Sequence, residues 1–297
     1  MGKASRRRAS SPHRATDETR AAPAPYVARP FEGLPAETEW VALREIIPAG
    51  TAAVHFASGR APDGAPHMAT MATVLPMAWP GLHRLGGDVL VATQSGAVSG
   101  DASRDLAAAL LLAAAADEGS PVVTVPAPTA ETPRLQDLLD TTVPFEVTVH
   151  EGFQFWVADA ELDADGLASL QRANESVVPT ERVRSAASVY WCRVGARSYV
   201  RWVLPGDEDA ATDALARLHA AGESQLTDGS RLLGAFRACG LLVPVWEVDA
   251  GGVATDYEDA VAGLGVRVAD AATSTEPLSP GERRARAGLL SRQVTLR

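Results

Sequence analysis

Lysine is all but missing from this chain: Lys3 stands alone among 27 basic residues, and the other 26 are arginines. With so much alanine and glycine alongside, the bias reads as the imprint of a GC-rich genome rather than a functional choice. Cysteine is nearly as scarce. Cys192 and Cys239 are too few for a disulfide framework or a thiolate zinc cluster, and their use fits a reducing cytoplasm. No apolar run reaches the roughly 18 residues that a membrane-crossing helix needs. Ala107–Ala116 is too short to span and follows Arg104 and Asp105. The basic start Met1-Gly2-Lys3 has no apolar core behind it, so no secretory signal is read. Several chemical signatures are missing too: a Gly-x-x-x-x-Gly-Lys phosphate loop, a His-Glu-x-x-His pair and a Gly-x-Ser-x-Gly elbow. The six histidines (His13, His55, His67, His83, His150, His219) form no i,i+4 pair.

What is present begins with charge. The net charge of −10 conceals two basic ends, residues 1–25 and 282–297, each at +4, around an acidic middle at −18. Such a body repels nucleic acid and anionic lipid. The basic tails could bind RNA, but solvated tails are the expectation, and no membrane contact is expected.

The fold class read from the pattern is α+β, with two related α/β units side by side. Asp88–Thr93 reads as a strand, Gly100-Asp101 opens an Ala/Leu-rich helix, and a short helix leads to a Val143-Pro144-Phe145-Glu146-Val147 strand. The plan returns with a Ser198–Leu204 strand, a helix opened by Gly206-Asp207, a second helix and a Val243-Pro244 strand; the Gly-Asp to Val-Pro interval is 43 residues and then 37. Four segments follow: a disordered basic tail over 1–25, a first unit over 26–180 with an N-terminal strap and helix, a second over 181–272, and a linker with a basic helix over 273–297.

Finer features are predicted as well. Tyr26–Pro35, with two prolines and a glycine, forms an extended strap; Glu37–Ile47 is a helix stopped by Pro48; Thr51–Phe56 and Met68–Leu75 are strands. Ala102–Ala116, apolar almost all round, should be deeply buried. Val143–Val149 and Phe153–Ala158 read as a hairpin around His150-Glu151-Gly152. A helix covers about Ala164–Asn174, and Glu175–Ala187 is a polar connection between units. Cys239 reads as the end of a helix capped by Gly240. A helix from Tyr257 leads to a Val266–Val268 strand. Ser279-Pro280-Gly281-Glu282 starts a final helix to about Arg292, docked by Leu289 and Leu290.

Several stretches carry a family likeness: Ala28–Pro35, Glu39–Ile46, Val74–Pro80, Ser99-Gly100-Asp101, Pro133–Asp140 and Arg283–Leu290. On them the chain resembles, over roughly residues 26–297, a family of uncharacterised proteins of high-GC Gram-positive bacteria. Some relatives are labelled preprotein translocase SecA because of a Cys-rich zinc module. The tail here offers only His13 and no cysteine before Cys192, so that module is absent. The resemblance implies no activity.

Candidate sites are few. Gly100-Asp101 and Gly206-Asp207 could be anion-binding helix starts, but an aspartate already satisfies those amides as a cap. Glu151 and Asp159 could pair as acid and base, though carboxylates of an acidic protein are usually solvated. Trp79, Trp156, Trp191, Trp202 and Trp246 sit on or beside strands, and core packing is their default. The other reading is an apolar cleft between the units formed by Trp191, Trp202 and Trp246, with Arg193 and Arg201 at its rim. The expected function is that of a cytosolic, non-catalytic binding or adaptor protein with an unidentified protein partner and no cofactor or metal; the alternative is an enzyme whose site forms where the units meet.

Overall fold

The computed structural model describes residues 22–96, 99–157 and 162–291. Two sheets organise it. The first contains β1 (Gly50–His55), β2 (Met68–Ala72), β3 (Gly81–His83), β4 (Val89–Ala92), β5 (Ser120–Val122) and β6 (Thr148–Val149), in the order β5-β3-β4-β2-β1-β6. Its one parallel pair is β2 with β4. The second contains β7 (Thr180–Val183), β8 (Val189–Val194), β9 (Arg197–Trp202), β10 (Arg231–Ala238) and β11 (Leu241–Val248), antiparallel throughout in the order β10-β11-β9-β8-β7. With α1 (Glu37–Glu45), α2 (Ala102–Ala115), α3 (Leu135–Leu138), α4 (Ala164–Glu175), α5 (Glu208–Ala221), α6 (Glu258–Ala272) and α7 (Pro280–Ser291), the fold is α+β, as the sequence pattern predicts.

Burial explains the layers. Val41 and Leu43 of α1 and Leu106 and Leu110 of α2 pack on Ala52, Val54, Met71 and Val91 of the first sheet. A Cβ on Gly81 would lie 2.9 Å from Ala113 Cβ, so α2 lies this close to β3 because both residues are small. The same core runs on to the second sheet through Tyr190, Val203, Leu241 and Val243, so α1 belongs to both units. The other face of the second sheet carries α5, α6 and α7, with Leu215, Val261, Leu264 and Leu289 inside.

Several expectations need correction. The stretch before Gly240 is strand β10, not a helix, because Cys239 (φ 47°) and Gly240 (φ 75°) form a two-residue left-handed turn that sends the chain back as β11. Val266–Val268 lies inside α6, where Val261, Leu264, Val268 and Ala271 recur at helical spacing toward the core. Of Val143–Val149 only Thr148–Val149 is strand, paired with β1, and no hairpin forms among the described residues. Gln154–Trp156 instead makes a short 3-10 turn, since Phe153 stacks on Trp156 at 4.4 Å and Trp156 Nε1 donates to Val74 O at 2.7 Å. The polar connection after α4 contains β7, so the second sheet begins at Thr180. α2 is open to solvent at Leu112, 39% exposed.

The internal duplication is not confirmed. Val243-Pro244 lies in β11, directly beside β9, whereas Val143-Pro144 leads to β6, three places from β4 at the edge of its sheet. What recurs is the chemistry of a strand-to-helix transition, not a topology. Residues 22–25 are a bonded part of the strap: Pro23 bridges Thr129, and Ala24 N donates to Pro128 O at 3.2 Å. The expectations for residues 1–21, Asp159 and Arg292 lie outside the described residues.

Candidate functional site

The second sheet separates the five residues of the expected aromatic cleft. Trp191, Trp202 and Trp246 are buried beneath α5 and α6, and Trp246 Nε1 donates to Ser224 O at 2.8 Å. Arg193 stands at the end of this face with its guanidinium 5.1 Å from the Trp191 ring centre, its Nη2 toward Ala250 O and Gly252 O at 3.3 and 3.4 Å. Arg201 alternates with Val200 and Trp202 and so points to the opposite face, toward Cys192. Its Nε and Nη2 are shut off from water with no hydrogen-bond partner among the described residues, and this desolvation lowers its pKa.

The units meet elsewhere, around the strap and α1. The strap is pinned to the first unit through Asp101, which is fully buried. Asp101 Oδ1 caps α2 by accepting from Ser103 N at 3.0 Å, and its Oδ2 lies 3.3 Å from Arg104 Nε and 3.0 Å from Arg134 Nε. Arg134 Nη2 and Gln136 Nε2 donate to Pro30 O at 2.8 and 2.9 Å. Thus an aspartate fills the helix start, as its capping role predicts, and also fixes the strap. Asp207 is a plain cap, accepting from Ala210 N at 2.9 Å.

α1 is held to the first unit at its C-terminal end, where Gln94 Nε2 donates to Leu43 O and Ile47 O at 3.1 and 2.7 Å, and to the strap and the second unit at its first turn. Arg29 holds Glu37 with two bonds, of 3.0 and 2.6 Å, which raises the arginine's pKa. Glu39, 3% exposed, accepts from Arg182 Nη2 at 2.5 Å, from Ser188 N at 3.0 Å and from the Tyr190 hydroxyl. Burial first, and then the Glu39 charge, drive the Tyr190 pKa far up, so this hydroxyl stays a donor. Ser188 Oγ donates to Thr38 Oγ1 at 2.7 Å.

At the last turn of α1 opens a cleft of about 400 Å³, walled by the strap (Tyr26, Ala28), α1 (Arg44, Glu45), the start of α2 and the β10–β11 turn (Arg237, Cys239). Arg44 Nε lies 3.2 Å from Glu45 Oε1, and Arg237 pairs with Glu208. Cys239 Sγ faces Glu45 Oε1 at 3.8 Å, and burial, followed by the Glu45 charge, pushes its thiol up to about 12. Sequence reasoning missed this cleft. Two signals were available: the Cys239-Gly240 turn dipeptide, and Glu39 as an acid within the apolar run Trp40–Leu43.

A family model described as a family of unknown function, DUF5926, matches residues 30–297. No curated protein and no solved structure matches the chain.

Proposed function

The chain belongs to the DUF5926 family of unknown function, and from its junction cleft we propose a non-catalytic binding or adaptor protein that seats a protein partner between strap, α1 and the β10–β11 turn. One observation carries this reading. The nucleophile in the cleft, Cys239, faces Glu45 and is held as a neutral thiol, because burial and the Glu45 charge outweigh the Arg44 guanidinium that favours the thiolate. What remains is an open, partly apolar concavity with two neutralised Arg–Glu pairs, which suits recognition. A cytoplasmic location and a protein rather than nucleic-acid partner belong to the same proposal; the sparse, unpaired cysteines support the first and the acidic body the second. A link to protein translocation has no support in these residues.

Tyr26→Ala combined with Ala102→Trp should abolish co-purification of the native partner while leaving the melting temperature within a few degrees. Retained capture with both substitutions in place would move the seat elsewhere.

The second reading, an enzyme at the junction, is favoured by the 3.8 Å approach of Glu45 to the thiol. Iodoacetamide labelling of Cys239 against pH separates the two. A neutral thiol gives a rate that keeps climbing toward pH 12, because the folded pKa lies above the ordinary value and thiolate accumulates only there. A plateau near neutral pH would favour the enzyme.

A further inference from the structure

We propose that α1 is a lever: a latch on Glu39 at its first turn sets how far the junction cleft opens at its last. The helix is about 13 Å long at 1.5 Å per residue, short enough to transmit a tilt from its first turn to its last. Its first turn grips the β7–β8 turn, where Ser188 is held at φ 56°, a left-handed conformation unfavourable to a residue with a side chain. The amide of that residue is bonded to the Glu39 carboxylate, and its hydroxyl is bonded to Thr38. The grip is therefore a charge-assisted cluster of three donors on one buried carboxylate, closing over a strained turn. Arg182, one of those donors, keeps 34% of its side chain in solvent, which makes it the exposed handle of the latch.

The last turn of the same helix presents Arg44 and Glu45 to the cleft, opposite Cys239 of the second unit. Removing the Glu39 charge deprives Arg182 of its counter-charge and takes away one of the two oxygens on which the three donors converge. The strained turn then relaxes, the first turn of α1 lifts from the second sheet, and Glu45 withdraws from Cys239. By linkage, a partner that spreads the cleft loosens the latch by the same free energy. The lever rests on the reading of the cleft as a binding seat, whereas its movement is measured without any ligand, so one can fail while the other stands.

The two cysteines provide the measurement in the full chain. Cys239 reports the cleft, and Cys192, 0% exposed within the second sheet, reports general unfolding. Glu39→Gln should raise the iodoacetamide rate at Cys239 on the order of tenfold, the change that one lost charge-assisted hydrogen bond supports, while Cys192 stays protected. Tyr190→Phe removes one donor only and should raise it by a smaller factor in the same pattern; this variant decides the matter if Glu39→Gln does not fold. An unchanged Cys239 rate, or a joint rise at both thiols, overturns the lever. As control, Leu289→Ala lowers stability far from α1 and should leave the ratio of the two rates unaltered; a shift in that ratio equal to the one from Glu39→Gln overturns it as well.

Discussion

Gly240 meets two demands at once. It sits at φ 75°, and a Cβ there would lie 2.6 Å from Ala28 O and 2.3 Å from Arg29 Cγ. Gly240→Ala combines left-handed strain with overpacking against the strap and should cost about 2–4 kcal/mol in urea unfolding. The two capping aspartates make a sharper comparison. Asp207 is a cap near solvent, so Asp207→Ala should cost about 1 kcal/mol. Asp101 also neutralises Arg104 and Arg134 from a fully buried position. Asp101→Ala leaves two guanidinium groups without a counter-charge and should cost about 3–5 kcal/mol. Equal losses for the two variants would reduce Asp101 to its cap. Both residues open helices after a Gly-Asp pair in the sequence; only the packing of strap and α3 around Asp101 sets their weights apart.

α7 shows how an element divides its work between apolar and charged contacts. Leu289 is 3% exposed in the second core, while Arg286 bonds Asp213 at 2.6 Å and Asp209 at 2.5 Å from α5. Leu289→Ala should therefore cost about 2–4 kcal/mol. Arg286→Ala should cost no more than about 1 kcal/mol and less in high salt, since both pairs are open to water. Thermal melts at two salt concentrations check the difference. At the start of α6, Glu258 accepts from Arg184 N at 2.9 Å and Ser185 N at 2.6 Å, which hold its pKa below the ordinary carboxylate value. Its contribution is thus complete above that ordinary value and fades as pH falls through the folded one. Glu258→Gln should flatten the acid limb of a stability–pH curve; an unchanged limb would show that these bonds contribute nothing to it. Elements that begin with a side-chain cap were legible: α2, α4, α5 and α7 start at their capping residues. β10 and the end of α6 were not, because short Leu/Val/Ala runs suit either period and long-range partners chose between them.

For the whole molecule, composition and patterning by themselves determined that this is an α+β protein with an acidic body between basic ends, because charge and periodicity are local properties of the chain. They also determined where α2 and α5 begin, because a capping aspartate acts within its own turn. The tertiary structure decided the rest. It buried Trp191, Trp202 and Trp246 beneath helices rather than between units, since strand alternation assigns each ring to a face but not which face meets a neighbour. It gave the two Val-Pro segments different sheet positions, since strand order depends on contacts remote in sequence. It brought Glu39 to Arg182, Ser188 and Tyr190, and Glu45 to Cys239, across separations of 143 to 194 residues. No pattern within a few turns of chain encodes such meetings, because they follow from α1 filling the space between two sheets.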